Sequence, residues 1–147
     1  MVAINRLTKK KLGEILIEQG LLTPEQVQDA LRLQLQTGLM FGETLVQQKL
    51  ISEDKIVAVL VAQFGIPYIK PTAYKIPKDL LEIFEPQVMR KFQFVPLDSF
   101  GSVLAIAIAG LLSEDILKEI ESQTGCSLQL YLTRMSEIDA VLKAHGL

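Results

Sequence analysis

The 147-residue sequence contains one cysteine, one histidine and no tryptophan. The single cysteine, Cys126, excludes an internal disulfide, and this usage fits a cytosolic protein. Together, Cys126 and His145 supply too few ligands for a zinc site. The sequence also lacks a G-x-x-x-x-G-K-[ST] phosphate loop and the G-x-G-x-x-G, G-x-S-x-G and H-E-x-x-H motifs. Because the carboxylates are scattered as well, the sequence predicts no catalytic centre and no metal or cofactor site.

Long hydrophobic runs and an excess of one charge are also missing. No apolar run is longer than that of residues 56–62, which is far short of the roughly 20 residues needed to span a bilayer. A net charge of −2 gives no reason to expect a nucleic-acid polymer as partner. The hydrophobic fraction of 49% is enough for a core, and the mean hydropathy of +0.30 indicates a surface that docks on another molecule.

The most informative feature present is an internal repeat. Residues 11–34 align with residues 40–63 at an offset of 29 positions. The identical pairs are Gly13/Gly42, Glu14/Glu43, Leu16/Leu45, Gln19/Gln48, Leu21/Leu50, Leu31/Leu60 and Gln34/Gln63. A fixed period of this length indicates a duplicated supersecondary unit.

Each copy of the repeat predicts a helix, a tight turn and a second helix. Gly20 is placed to end the first helix, because glycine adopts a left-handed conformation at little cost. Thr23 and Ser52 are predicted N-caps of the second helices. Residues 56–62 are apolar on all sides, which predicts that the fourth helix is the buried one. The sequence therefore predicts a four-helix tandem hairpin repeat over residues 1–65.

Two kinds of repeated residue allow both a structural and a functional interpretation. Gln34 and Gln63 lie on the apolar stripes, so each amide either bonds a loop carbonyl or helix end, or forms half of a ligand site. Gly13 and Gly42 lie early in their helices, where glycine is unfavourable. They allow either a close approach of two helices or a bulky ligand against exposed backbone.

The second half predicts a small α/β subdomain with a mixed sheet over residues 66–147. A short strand is predicted near residues 66–69, two short helices at residues 78–84 and 86–92, and strands at residues 94–100, 103–109 and 127–133. Ser113 is the predicted cap of the helix that joins the last two strands, and Ser136 opens a predicted capping box for the final helix. The predicted fold class is therefore α+β.

Both halves resemble one family. The tandem pattern Leu-Gly-x-x-Leu-(Ile/Val), a capped second helix and a closing Gln is similar to the N-terminal domain of type II secretion and type IV pilus assembly ATPases. Pro96-Leu97, the apolar strand that begins at Val103 and Thr124-Gly125 follow the order of the same family.

The resemblance implies a non-catalytic docking and regulatory domain. Such a domain precedes an ATPase core when both lie in one chain, or acts with a core in a separate chain. It binds the cytoplasmic domain of an inner-membrane secretion or pilus protein. The implied location is cytoplasmic, peripheral to the inner membrane. In some members the tandem motif binds cyclic di-GMP, which makes a receptor domain the alternative function. The positions carried over are Lys11, Leu12, Gly13, Leu16, Gly20 and Gln34 in the first copy, and Met40, Phe41, Gly42, Leu45 and Gln63 in the second.

The sequence departs from the family pattern mainly at charged positions. Lys11 and Met40 replace the arginines that open the motifs, and Lys49 replaces the glycine found at Gly20. Ala109-Gly110 replaces the Asp-Pro that often follows the central strand. Each lost charge-assisted contact to a dianionic ligand would cost on the order of 1.5–3 kcal/mol. We therefore expect any cyclic di-GMP site to be weakened.

Overall fold

A computed structural model of the chain describes residues 11–147. Within this range eight α-helices, one short 3-10 helix and three strands follow one another. The helices are α1 (Leu12–Glu18), α2 (Pro24–Thr37), α3 (Phe41–Gln47), α4 (Glu53–Phe64), α5 (Lys78–Glu82), α6 (Pro86–Phe92), α7 (Glu114–Thr124) and α8 (Met135–Ala144). The strands are β1 (Phe94–Phe100), β2 (Val103–Ile108) and β3 (Ser127–Leu132), and the 3-10 turn covers Pro71–Ala73. The predicted α+β class is confirmed.

The two copies of the repeat have the same local structure. Helices α1 and α3 have 7 residues each and begin 29 positions apart. The N–H of Gly20 donates to the carbonyl of Ile17 at 3.0 Å, and the N–H of Lys49 donates to the carbonyl of Val46 at 3.0 Å. Lys49 also takes the left-handed conformation of Gly20, with φ of 58° against 71°. The copies differ at their ends, because α2 has 14 residues and α4 has 12.

The predicted caps of the two longer repeat helices are present. Thr23 accepts a hydrogen bond from the N–H of Gln26 at 3.1 Å, and the Gln26 side chain accepts one from the N–H of Thr23 at 2.9 Å. Ser52 accepts from the N–H of Lys55 at 3.1 Å. These bonds satisfy amides that have no partner within their own helix.

Helix α4 is less uniformly buried than its sequence predicts. Ile56, Val59 and Leu60 are buried, whereas Ala58 and Ala62 are exposed. The helix packs against α3 and β3. Although residues 56–62 are all apolar, one side of the helix is thus exposed to solvent, and it carries the smallest side chains of the segment.

The sheet has the order β1-β2-β3 and is mixed. Strands β1 and β2 form an antiparallel hairpin that pairs Phe94 with Ile108, and its register shifts between Pro96 and Asp98. Strand β3 runs parallel to β2 after the crossover through α7 and pairs Ser127 with Val103. The prediction of a short strand near residues 66–69 is wrong, since this segment forms only an isolated parallel bridge, between Tyr68 and Leu132.

The final helix does not begin as predicted. Arg134 is the N-cap of α8, without a side-chain cap bond, and Ser136 lies inside the helix. The hydroxyl of Ser136 instead donates to the carboxylate of Glu53 in α4, so the predicted Ser136 capping box is wrong. Buried side chains of the helical repeat and of the α/β part belong to one hydrophobic cluster. The division at residue 65 stays a prediction.

Candidate functional site

A cavity of about 670 Å³ lies between the helices of the repeat and the loop after β2. Helices α1, α2 and α3 form one wall, and residues of the α/β part form the other. The lining residues are Lys11, Leu12, Gly13, Glu14, Ile17, Val27, Gln28, Leu31, Gln34, Met40, Phe41, Gly42, Glu43, Phe92, Gln93, Ala109, Gly110, Leu111, Leu112, Ser113, Glu114, Ile116 and Met135.

Most of the residues singled out in the sequence meet at this cavity. Seven of them line it, namely Lys11, Leu12, Gly13, Gln34, Met40, Phe41 and Gly42. The other four do not line it. Leu16 and Leu45 are fully buried in the core, Gly20 forms the left-handed turn after α1, and Gln63 is exposed on α4.

The residues that open the two motifs occupy equivalent backbone positions. Lys11 is the N-cap of α1, with φ −77° and ψ 151°, and Met40 is the N-cap of α3, with φ −64° and ψ 151°. Neither side chain makes a cap hydrogen bond. Both residues are therefore held in an extended conformation at the cavity, and neither side chain is engaged by the helix that it precedes.

The two motif glycines have different surroundings. A Cβ atom added at Gly13 would lie 2.9 Å from Cγ1 of Val27, which is closer than packed side chains allow. At Gly42 the nearest side-chain atoms, from Ile56 and Leu12, would be 3.6 Å away, an ordinary contact distance. Close packing of α1 on α2 therefore accounts for Gly13 and does not account for Gly42.

The two repeated glutamines are also no longer equivalent. Gln34 is half-buried and lines the cavity, whereas Gln63 is exposed and lies outside it. Helix α4, which carries Gln63, packs against β3, while α2 packs against α1 and α3. The expectation that both amides lie on a buried stripe is therefore wrong for Gln63.

Within the described part of the chain, the charged groups at the cavity are one lysine and three glutamates. Lys11 and Glu14 are exposed, and Glu114 forms an ion pair with Lys118 at 2.9 Å. Burial raises the pKa of Glu43, and a hydrogen bond from the backbone of Met40 opposes that rise by a smaller amount. Glu43 thus carries the partly desolvated carboxylate of the site.

Sequence reasoning missed the wall supplied by the α/β part. Phe92 and Gln93 reach the cavity from the end of α6, residues 109–114 reach it from the loop after β2, and Met135 from the first turn of α8. The only sequence signal in this wall was the replacement of Asp-Pro by Ala109-Gly110. These residues lie far from the repeat along the chain, so only the fold brings them together.

A second cavity of about 440 Å³ lies beside Phe84 and His145 and contains none of the motif residues. Among residues 11–147, no group of three or more His, Cys, Asp or Glu side chains could hold a metal ion. No helix in the same range is long and apolar enough to cross a membrane.

Comparison with known proteins assigns the chain to a family. The family model for the MshEN domain matches residues 64–146. In sequence, the chain is 30% identical over 138 residues to the type IV pilus assembly ATPase PilB of Thermus thermophilus, and 25% identical over 119 residues to PilB of Myxococcus xanthus. These alignments cover 92% and 81% of this chain but 16% and 21% of the relatives, so the chain spans about a fifth or less of their length.

Other proteins are similar to this chain in sequence or in fold. The bacteriophage adsorption protein B of Escherichia coli is 32% identical over 88 residues, which are 60% of this chain and 12% of that protein. The structure of MshE with cdg has a TM-score of 0.66 at 22% identity and covers 92% of this chain and 99% of that one. A structure of the N-terminal domain of XpsE has a TM-score of 0.64 at 21% identity, with 88% and 90% covered. The predicted resemblance to the N-terminal domain of secretion and pilus assembly ATPases is confirmed, and the chain belongs to the MshEN domain family.

Proposed function

We propose that this chain is a non-catalytic docking and regulatory domain of a type IV pilus assembly or type II secretion ATPase. The observation that carries the proposal is the alignment with the Thermus PilB over 92% of this chain. Because the chain has no phosphate loop of its own, ATP hydrolysis in such an assembly would belong to a separate region or chain.

The partner under this proposal is the cytoplasmic domain of an inner-membrane protein of the same secretion or pilus system. The chain would then act in the cytoplasm, held at the inner membrane by that contact. Exposed apolar side chains, among them Leu35 at 87% and Phe100 at 61% exposure, offer surface for protein contacts.

A pull-down tests the docking function directly. The tagged chain is expected to retain the purified cytoplasmic domain of its own system and to show no ATP hydrolysis above buffer. A folded sample, verified by circular dichroism, that enriches no such domain would contradict the proposal. Hydrolysis that co-purifies with the chain through two further columns would contradict its non-catalytic part.

A second candidate function is binding of cyclic di-GMP in the 670 Å³ cavity. The favouring observation is that seven motif positions line this one cavity. In addition, MshE, which has the same fold, was solved with cdg, cyclic di-GMP. Leu12 and Phe41 would supply apolar contact to the purines, and the Gln34 amide would hydrogen-bond a base edge. Gly42 would leave backbone open to the ligand.

The charges of the native site lower the expected affinity for cyclic di-GMP. Lys11 is a point charge and lacks the planar fork of arginine, and Met40 carries no charge. We expect binding in the micromolar range or weaker, measured by calorimetry with cyclic di-GMP. Met40→Arg should tighten it at least tenfold, because an arginine there could pair with a phosphate.

Gln48→Arg is the matched control, since it adds the same charge at an exposed residue outside the cavity. Equal effects of the two substitutions would show that only net charge matters. The absence of heat and of a thermal shift in both the native chain and Met40→Arg would remove cyclic di-GMP as the ligand.

A further inference from the structure

The cavity at the repeat has an adaptable apolar surface. Met40 and Phe41 line it from the repeat, and Phe92 and Met135 line it from the α/β part. All four are half-buried, so part of each side chain is available to an incoming group. Methionine is unbranched and polarizable, and surfaces rich in it adjust to different apolar side chains. This lining suits apolar side chains that enter from a partner.

The polar residues of the same cavity favour a positive charge. Among residues 11–147, no cation pairs with Glu14 or Glu43, whereas Glu114 is neutralised by Lys118 at 2.9 Å. Of the lining residues between positions 11 and 147, Lys11 alone is a cation. A dianionic ligand would therefore face the carboxylates of Glu14 and Glu43, for which residues 11–147 supply no ion pair, while a ligand with positive charges would neutralise them.

We propose that the cavity binds a basic amphipathic segment of the docking partner, with its apolar side chains on the Met and Phe surface and its Lys or Arg side chains on Glu14 and Glu43. The inference rests on the proposed docking function, for which it names the surface and the chemistry of the partner. Charge complementarity at an apolar groove is the recognition mode of amphipathic basic peptides. The Gln28 and Gln34 amides add neutral hydrogen-bonding groups to the same lining.

A peptide-binding experiment with the full chain tests the inference. The probe is a fluorescein-labelled amphipathic peptide of about 18 residues made of Leu and Lys, with leucines at helical spacing. Its matched control has Glu at every Lys position. In fluorescence anisotropy we expect the basic peptide to bind at least tenfold more tightly than the acidic one. Its affinity should also fall as salt concentration rises.

Variants then place the binding at the cavity. Glu14→Gln/Glu43→Gln should weaken binding of the basic peptide at least fivefold, since the variant loses both carboxylates on which the Lys side chains would lie. Glu25→Gln/Glu119→Gln removes the same charge from two exposed residues outside the cavity and should bind like the native chain. Equal binding of the two peptides, or equal affinities of the two double variants, would overturn the inference.

The pull-down on the partner domain separates this inference from the docking function on which it rests. If the native chain retains the partner and Glu14→Gln/Glu43→Gln loses it, both are supported. If both proteins retain the partner equally, docking stands and uses another surface, so the inference fails. If the native chain retains no partner, the docking function itself fails.

Discussion

The carboxylate of Glu53 accepts hydrogen bonds from both the hydroxyl and the backbone N–H of Ser136, a residue 83 positions later in the chain. Glu53 lies in the first turn of α4 and Ser136 in the first turn of α8. The amide at the start of α8 is thus satisfied by a side chain of the helical repeat, because its own N-cap, Arg134, makes no side-chain bond.

Loss of this contact should destabilise the fold. We expect Ser136→Ala and Glu53→Ala each to lower the free energy of unfolding by about 1 kcal/mol. The double variant should lose less than the sum of the two, because the contact can be broken only once. Urea unfolding of the four proteins measures the coupling.

Asp54→Ala is the control for this cycle. Its carboxylate is 74% exposed and pairs with Arg134 at 3.4 Å, next to the Glu53 contact. An exposed pair of this kind contributes less than about 1 kcal/mol. Additive losses for Ser136→Ala and Glu53→Ala would show that the two side chains do not cooperate.

The motif glycines predict opposite effects of the same substitution. Gly42→Ala should raise the free energy of unfolding by up to about 1 kcal/mol, since alanine favours helix and the added Cβ fits. Gly13→Ala should lower it by about 1–3 kcal/mol, because the Cβ would lie 2.9 Å from Val27. Denaturant melts of both variants provide the comparison. A loss at Gly42 as large as that at Gly13 would contradict the packing described for the two positions.

The left-handed residue after α3 predicts a stabilising substitution. Lys49 has φ of 58°, a conformation that costs a residue with a side chain about 1 kcal/mol more than glycine. Lys49→Gly should therefore raise the melting temperature, and the reciprocal Gly20→Lys should lower it. Differential scanning calorimetry decides, and a drop in melting temperature for Lys49→Gly would show that the lysine side chain contributes more than its backbone costs.

The raised pKa of Glu43 predicts how stability depends on pH. A carboxyl whose pKa in the folded state exceeds its unfolded value contributes stability below the unfolded pKa and loses that contribution as the pH rises through the folded pKa. Glu43→Gln should therefore be more stable than the native chain at pH 7. Its advantage should disappear as the pH falls below the ordinary glutamate value of 4.5.

Chemical denaturation between pH 3 and pH 7, with Glu14→Gln as the equivalent exposed control, measures this dependence. A constant difference between Glu43→Gln and the native chain over that range would contradict the prediction. Because Glu43→Gln is expected to be stable, weaker peptide binding by the variant could not be attributed to unfolding.

Local sequence signals predicted most of the elements. The caps at Thr23 and Ser52 and the duplicated pattern around Gly13 and Gly42 each act within a few residues, so their effect can be read along the chain. The start of α8 could not be predicted in this way. Its first turn is stabilised by Glu53, which the sequence places 83 positions away from Ser136.

The candidate site was predictable on one side only. The repeat and its family resemblance indicated Lys11, Gln34 and Phe41 as members of one site, but the opposite wall at Phe92 and Met135 depends on how the sheet part packs on the repeat. The prediction that Gln63 lies on a buried stripe was wrong for the same reason. Periodicity gives the side of a helix and does not say which neighbour that side will meet.

The packing of α4 against β3 has a consequence for how this duplication can change. When two copies of a unit are free, a substitution in either one is interchangeable with its counterpart. Here the helix that ends the second copy packs on the sheet, and Gln63 lies outside the cavity, whereas Gln34 at the end of the first copy lines it. Under either proposed function, a substitution at Gln34 therefore alters the binding surface, and the same substitution at Gln63 leaves that surface unchanged.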